Sequence, residues 1–426
     1  MVTHYNIDYT LKHGLCTGCG LCEGACPQRA ITIECKNGRF IPSINSSLCN
    51  NAKGCYKCVQ TCGGLGIDLG GMARNNFASD DMKSDPYIGY YLRCFTGYSC
   101  DEEIRYRSAS GGMVTQFLIF LLDRKNIDGA VVTRFDPQNQ YLVNTFIATT
   151  RAELISARSS KYSPVSFHGI IQEIKNKPGK YVVVGLPCHI HSFRKYELLD
   201  KQFKSQIFAY FGIYCSSGRT FYLTEAVFRN LHIPKNKLTY FAYRDMGCLG
   251  NLYAEIRNEY GDAASYKKPF QQYYHPLRSF FVPRRCLSCI DHYAELADAS
   301  FGDIHKGKYL KDKVGISSMV IRNERILDLL IQAQQNGYVV LEPLDTKMLN
   351  SSQPMIRNKK HRTATVLKIE RLRGRGVPQY GVSLADASVL KSTVSYFLTL
   401  MQMIIGRHRV LWPFIKLLKK DVRNIQ

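Results

Sequence analysis

Eight cysteines in two tight groups within the first 62 residues constrain this chain more than any other feature. The first group, Cys16-Thr17-Gly18-Cys19-Gly20-Leu21-Cys22-Glu23-Gly24-Ala25-Cys26-Pro27, is a C-x2-C-x2-C-x3-C-P run, the spacing that bacterial ferredoxins use. The second, Cys49, Cys55, Cys58 and Cys62, is C-x5-C-x2-C-x3-C. Two-residue gaps wrap a loop around three corners of one cube, and the fourth cysteine, past a turn, reaches the neighbouring cube. This assigns Cys16, Cys19, Cys22 and Cys62 to one [4Fe–4S] cluster, and Cys49, Cys55, Cys58 and Cys26 to a second. Zinc sites pair two knuckles across a longer spacer, often with His, which is not this pattern. Disulfides need an oxidising compartment. Residues 1–14 carry Asp8 and Lys12 and no apolar core, so they do not read as a signal peptide and a cytoplasmic setting is expected. Cys49 is the outlying member of the second group, because the gap after it is lengthened, and Gly63 rather than Pro follows Cys62. Between the groups, residues 30–33 and 37–41 read as a hairpin with an Asn37-Gly38 turn.

At 426 residues the chain has room for two or three domains. Its positive charge is uneven: Lys347 to Gln426 holds sixteen Lys/Arg against Glu370, Asp386 and Asp421, three acids, whereas residues 1–85 are nearly neutral. The longest apolar run near the C-terminus, Val394 to Ile405, falls short of the ~20 residues of a membrane span, so no transmembrane helix is expected.

Further along, the cysteines change character. Cys188 follows a β-branched strand, Tyr181–Gly185, and a Gly-Leu-Pro turn that opens a helix through Lys195. Cys215 follows a second apolar strand, Ile207–Tyr214, and Cys286 and Cys289 form a C-x-x-C. Two cysteines at strand ends and one C-x-x-C can converge on a third cluster, since ligands collect at strand C-termini of open α/β sheets. The competing reading is that Cys188 and Cys215 are ordinary buried cysteines. Ser110-Gly111-Gly112 runs into an apolar helical pattern, Met113–Leu122. A helix start of this kind suits a phosphate or an electron-rich ring edge, or is a plain N-cap. Ser160-Lys161-Tyr162 offers a cation and hydroxyls, or a solvated loop.

Together these segments resemble the β-subunit family of coenzyme F420 (deazaflavin) hydrogenase and dehydrogenase. The matching pieces, in order, are 108–112, 160–162, Gly185-Leu-Pro-Cys-His189, 213–215, Tyr243-Arg244, Cys286-Leu-Ser-Cys289-Ile-Asp291, 297–303 and 315–322. The resemblance covers about residues 88–345, with the ferredoxin module in front. It implies FAD and at least one [4Fe–4S] cluster, with Cys188, Cys215, Cys286 and Cys289 as the ligands nearest the flavin. It also implies that Ser110, Gly111, Gly112, Ser160, Lys161 and Tyr162 contact FAD and that Asp303 lies near the same site. Where many members carry a Gly-Trp element, this chain has Met246-Gly247-Cys248-Leu249, which leaves Cys248 spare or beside the site.

The expected architecture is an α+β ferredoxin-like domain (1–85), an α/β flavin-binding domain (86–345) and a basic helical tail (346–426). The expected function is an iron–sulfur flavoprotein oxidoreductase. Electrons would pass between the ferredoxin clusters, the third cluster, FAD and a small organic substrate, a deazaflavin among the candidates, in either direction. Lys161, His189 or Tyr162 would deliver protons, although His189 reads equally as a packed helix-start residue. An electron-transfer subunit serving a partner protein, and a reductase of a polysaccharide or lipid-linked intermediate, are the alternatives. The tail, with Trp412 among basic and apolar residues, reads either as a helical hairpin packed on the protein with a solvated basic face or as a peripheral contact at the inner membrane surface. No base-reading module accompanies the charge, so nucleic acid is not expected.

Overall fold

The apolar, β-branched runs of the middle of the chain build one large sheet. A computed structural model describes residues 5–418 apart from 78, 137, 140, 141, 258–260, 354 and 387, and Lys419 and Lys420 at the end of the basic run lie outside these. The ferredoxin segment carries the hairpin of β1 (Ile31–Lys36) and β2 (Arg39–Ile44), in register Ile31↔Ile44 to Lys36↔Arg39. Asn37 and Gly38 at its tip have φ of 53° and 69°, the left-handed pair that a two-residue hairpin turn requires. A short hairpin, β3 (Lys83–Asp85) and β4 (Gly89–Tyr91), follows.

The large sheet comprises β5 (Arg93–Ser99), β6 (Gly129–Phe135), β7 (Val143–Ala148), β8 (Tyr181–Gly185) and β9 (Ile207–Ile213). After a separate three-stranded meander of β10 (Leu238–Asp245), β11 (Asn251–Arg257) and β12 (Ala263–Pro269), the chain returns with β13 (Ala299–Asp303), β14 (Ser317–Ile321) and β15 (Val339–Pro343). The strand order is β15-β5-β14-β13-β9-β8-β6-β7. The pairs β13–β9, β9–β8 and β8–β6 are parallel, with antiparallel strands on both flanks. Buried on both faces, the central strands are nearly pure Val, Ala, Tyr and Phe. Helices Met113–Asp123 and Glu324–Gln335 cover one face, and Ile170–Asn176, Pro187–Glu197 and Lys201–Gln206 the other. The C-terminal ends of β8 and β9 lead straight into Cys188 and Cys215, and β13 ends at Asp303.

The ferredoxin segment shares the second of these cores: Cys19, Leu21, Ala25, Ile67 and Leu69 pack with Ile170, Ile171 and Phe193. Phe167 N–H donates to the Cys19 carbonyl at 2.8 Å, and Gly169 N–H to Glu23 Oε2 at 2.7 Å. The contact is close enough that a Cβ at Gly24 would stand 2.7 Å from Ile171 Cβ.

The tail packs closely on the rest of the chain. Helix Met355–Leu372 packs on the turn Arg284–Ser288 that carries Cys286. Arg284 reaches Glu370 with two bonds from Nη2, each 2.8 Å, and Arg285 Nη2 donates to Tyr380 Oη at 2.8 Å. Residues 376–380 strap the ferredoxin segment, with Gly376 N–H on His13 Nδ1 at 2.8 Å and Gln379 N–H on Leu65 O at 2.9 Å. Trp412 is buried, not interfacial: its Nε1 donates to Gly406 O at 3.1 Å and its ring packs edge-on to Phe281. The expectation of no helix of transmembrane length also needs correction. Helix Val389–Arg407 runs 19 residues and is, by length and composition, able to cross a membrane, because the helix extends the apolar run in both directions.

Candidate functional site

Local turn chemistry places the N-terminal sulfurs. Gly18 and Gly20 adopt φ of 77° and 79°, the left-handed conformation that lets the chain double back between cysteines. Cys16, Cys19, Cys22 and Cys62 line one cavity with Ile7, Leu21, Ile33 and Phe40. Burial raises the thiol pKa of Cys16 (to about 12), Cys22 and Cys62. The sulfurs raise one another further: Cys16 feels Cys62 and Cys19, Cys22 feels Cys19, Cys16 and Cys62, and Cys62 feels Cys19. Cys58, raised to about 11 chiefly by burial, has Cys26 and Cys55 as its charged neighbours. Cys62 thus lies with Cys16, Cys19 and Cys22, and Cys26 is a neighbour of Cys58. Cys49 is half-buried on the loop before the turn Asn51–Lys53. That turn takes up the lengthened gap: Gly54 has φ of 84° and Cys55 N–H returns to Asn50 O at 3.2 Å.

A third group forms at the strand ends. Cys188 is raised well above an ordinary thiol by burial, then by Cys215, Cys286 and Cys289 in turn. Gly218 N–H donates to Cys286 Sγ at 3.2 Å, a bond of the kind that tunes cluster potentials. Among the described residues, no three His, Cys, Asp or Glu side chains converge tightly enough for one metal ion. Ligands of a cube bind different irons and stand further apart than ligands of a single ion, and the all-cysteine donor sets suit cubes.

Helix Pro187–Glu197 joins the first and third groups. Cys188 stands in its first turn, and one turn on, Ser192 Oγ approaches Cys19 Sγ at 3.5 Å and accepts from Gly63 N–H at 2.9 Å. Lys195 Nζ donates to the Cys62 carbonyl at 2.9 Å. Cys19 is itself a charged neighbour of Cys188. Behind the third group lies Lys359, a residue the sequence reading left within a basic run. Its Nζ donates to Cys215 O at 2.8 Å and to Asp291 O. Burial opposes its charge, and Cys289, Cys215 and Asp291 outweigh that and raise its pKa. A lysine in a charge-rich run gives no sequence signal of such a position, because the helix that carries it folds back from over sixty residues away.

Beside the third group is an aromatic and charged cluster. Tyr274 has its ring 4.4 Å from Tyr162 and 4.6 Å from Phe270, and Arg219 covers it at 5.1 Å. Arg219 in turn is a charged neighbour of Cys215 and Cys286. Arg244 Nη1 pairs with Asp303 at 2.6 Å, and Asp303 also faces His305 at 3.1 Å. Burial opposes ionisation of Asp303, but these two cations hold it far below the usual carboxylate range. Tyr162 neighbours Arg244 and Asp303, and burial raises its phenol. Cys248 is raised to about 11 by burial and Asp303, which puts it beside the site.

Not every expected site residue faces this cluster. Lys161 turns its ammonium onto the carbonyls of Ala157, Arg158 and Ser159 at 2.5, 2.6 and 3.1 Å, closing the end of helix Arg151–Ser156, while burial and Arg158 lower its pKa to about 7. His189 is buried and its pKa falls to about 3. Its Nδ1 accepts the Leu186 N–H at 3.2 Å, so it acts as a helix-start acceptor. Gly111 spends its N–H on Ser317 Oγ at 3.0 Å, and a Cβ there would stand 2.5 Å from Gly97 O. Self-packing therefore already accounts for this glycine. Gly112, at φ of 75°, starts helix Met113–Asp123 with no side-chain cap. Ser110 Oγ donates to Ile316 O at 2.8 Å.

The buried Arg219 Nε and Ser108 Oγ have no protein partner. With the aromatic faces and Arg244, they add unused donors to a site that already offers stacking surface and cations.

Two family profiles decide the affiliation. The N-terminal part of the coenzyme F420 hydrogenase/dehydrogenase β subunit matches residues 94–172 and its C-terminal part residues 179–347. The chain belongs to the coenzyme F420 hydrogenase/dehydrogenase β-subunit family. A 4Fe-4S binding domain matches residues 9–32. The β subunit of coenzyme F420 hydrogenase from Methanosarcina barkeri is 21% identical over 302 residues, 66% of this chain and 96% of that one. The coenzyme F420-dependent sulfite reductase of Methanocaldococcus jannaschii is 22% identical over 336 residues, 75% of this chain but only 46% of that protein. A chain of the F420-reducing [NiFe] hydrogenase complex from Methanosarcina barkeri shares the fold, with a TM-score of 0.55 at 19% identity over 70% of this chain and 98% of that one. This family member is thus an iron–sulfur oxidoreductase with a 4Fe-4S N-terminal segment.

Proposed function

We propose that this family member carries three [4Fe–4S] clusters and one FAD and exchanges electrons between a redox partner and an organic substrate, with a deazaflavin the first to test. The observation that carries this reading is the shared helix Pro187–Glu197, which sets Cys188 one turn from Ser192 and the Cys19 group. Electron transfer needs such closeness, and a structural metal protein does not. Bound beside the third group, FAD supplies the exchange of two electrons as hydride with a substrate and of single electrons with a cluster. Tyr274, Tyr162 and Phe270 would stack against the ring. Arg219 and Arg244 would hold its negative oxygens and phosphates. Asp303 keeps Arg244 oriented, and its low pKa fixes it as the carboxylate, so it supplies charge and no proton. Lys161 spends its ammonium on three backbone carbonyls, so it closes its helix end and is not placed to deliver the proton. Burial keeps His189 neutral, which removes it from the proton path.

The test is anaerobic purification with iron, sulfide and flavin counted per chain, followed by assay of deazaflavin reduction and oxidation. About twelve irons and one flavin are expected. About eight irons without flavin would sink the reading and leave a ferredoxin-like carrier; turnover with a reduced protein donor but no small molecule would favour an electron-transfer subunit. A Tyr274→Leu variant should lose flavin and keep its iron. Gly112 is a poor probe, because any side chain there strains the helix start whether or not flavin binds.

A further inference from the structure

Helix Val389–Arg407 has two apolar faces, and the protein covers only one of them. Ser392, Tyr396, Met403 and Gly406 turn inward. Tyr396 Oη meets Glu370 and lies 3.3 Å from Arg284 Nη2, and a Cβ at Gly406 would stand against the Phe280 carbonyl. On the opposite side Leu390, Val394, Phe397, Met401 and Ile404 follow one another at helical spacing, and all are exposed, Leu390 at 79%. The following turn and the short helix Pro413–Leu418 add Val410, 87% exposed, with Phe414 and Leu417. Single exposed apolar residues are ordinary on soluble proteins, whereas a stripe running the length of a helix marks a binding surface. Among the described residues 389–418 the chain carries Lys391, Arg407, Arg409 and Lys416 and no acid; Arg409 pairs with Glu225, and Lys391 and Arg407 are exposed on the helix itself.

We propose that this face rests on an anionic lipid surface, with the helix lying in the plane of the interface. The helix is long enough to span a membrane, but spanning would strip Tyr396 from Glu370 and Arg284 and lift Gly406 off Phe280. Lying flat keeps those contacts and immerses the outer stripe in the acyl boundary, where an amphipathic helix gains most. Lys391 and Arg407, near the two ends of the helix, then meet anionic headgroups, which is what separates a lipid surface from a neutral protein groove as the occupant. The inference is independent of the flavin reading, since it uses none of the residues around the third cysteine group.

The test is flotation of the full-length, anaerobically purified protein with vesicles of phosphatidylcholine, and of phosphatidylcholine mixed with phosphatidylserine. The wild-type protein should float with the mixed vesicles and stay behind with the neutral ones. A variant carrying Leu390→Asp, Phe397→Asp and Met401→Asp should lose binding by at least ~tenfold, since each change removes an apolar side chain from the buried patch. Its iron content and melting profile should stay as in the wild type. The single change Leu390→Asp, at the most exposed position of the stripe, should lower flotation without any packing loss. Flotation with neither vesicle, equal flotation with both, or unchanged flotation of the triple variant would overturn the proposal. So would a stable dimer that the triple variant dissolves without any vesicle binding, which would make the face a protein contact.

Discussion

Lys359 sits where one charge has most leverage, buried beside the third cysteine group with its ammonium on the carbonyls of Cys215 and Asp291. Reduction adds negative charge to a cluster, so a fixed cation nearby stabilises the reduced form. At an effective dielectric of ~20, two unit charges roughly 10 Å apart interact by about 1.7 kcal/mol. Lys359→Met should therefore lower the midpoint potential of this cluster alone, and Lys359→Arg should keep it near the wild-type value. An EPR-monitored redox titration checks this, with iron content as the control for folding. A midpoint that does not move in the Met variant, with iron retained, would show that the lysine serves packing only. Nothing in the sequence marks Lys359, because its partners Cys215 and Asp291 are brought to it only by the tertiary fold. The opposite holds for His189 and Lys161. Both were legible as polar residues at turns, but the local backbone claims them: His189 caps its own helix start, and Lys161 caps the carbonyls just upstream. Short-range hydrogen bonds of this kind compete with any reading that sends such side chains into a site.

At the scale of elements, helix Pro187–Glu197 and the ferredoxin turn Gly63–Leu65 are packed with no room between them. A Cβ at position 63 would stand 2.7 Å from Ser192 Oγ and 2.9 Å from the Cys188 carbonyl. Gly63→Val should thus push the two cysteine groups apart, costing about 1–3 kcal/mol by overpacking and slowing electron passage between them. Thermal unfolding and stopped-flow bleaching of the clusters under a reductant are the measurements; an unchanged rate at lowered stability would separate packing from the electron path. Ser192→Ala is the milder companion. It leaves the Gly63 N–H buried without its acceptor, a loss of about 1–3 kcal/mol, and it removes a neighbour from Cys19 Sγ. The elements themselves were readable in advance: the hairpin around Asn37-Gly38, strands β8 and β9 and the helices after Gly112 and Leu186 all carry short-range signatures. Their pairing was not. The flank in which β5 pairs with β14 and β15 depends on contacts between segments more than two hundred residues apart in sequence, which turn residues and periodicity do not encode.

Across the whole molecule, the segment from Lys359 to Tyr380 is part of the site rather than an appendage. Helix Met355–Leu372 supplies Lys359 and sets Thr363 Oγ1 3.4 Å from the Cys289 carbonyl. Glu370 holds Arg284, beside the C-x-x-C turn, and Tyr380 holds Arg285 and Ser288 O within it. A chain ended after Asp345 should consequently lose the third cluster, about four irons of twelve, and expose the second core behind Leu69 where the strap 376–380 had lain. A chain ended after Ser388 keeps all of those contacts and discards the apolar stripe together with Trp412. It should retain its full iron, melt at a lower temperature because Phe281 and Tyr222 lose the Trp412 ring, and no longer float with anionic vesicles. Iron content, melting temperature and flotation of the two truncations therefore divide the basic segment into a part that builds the redox site and a part that docks it. If the shorter chain kept its full iron, Lys359 and its helix would have no share in holding the third cluster. If the longer one still floated, the lipid contact would have to lie elsewhere on the molecule.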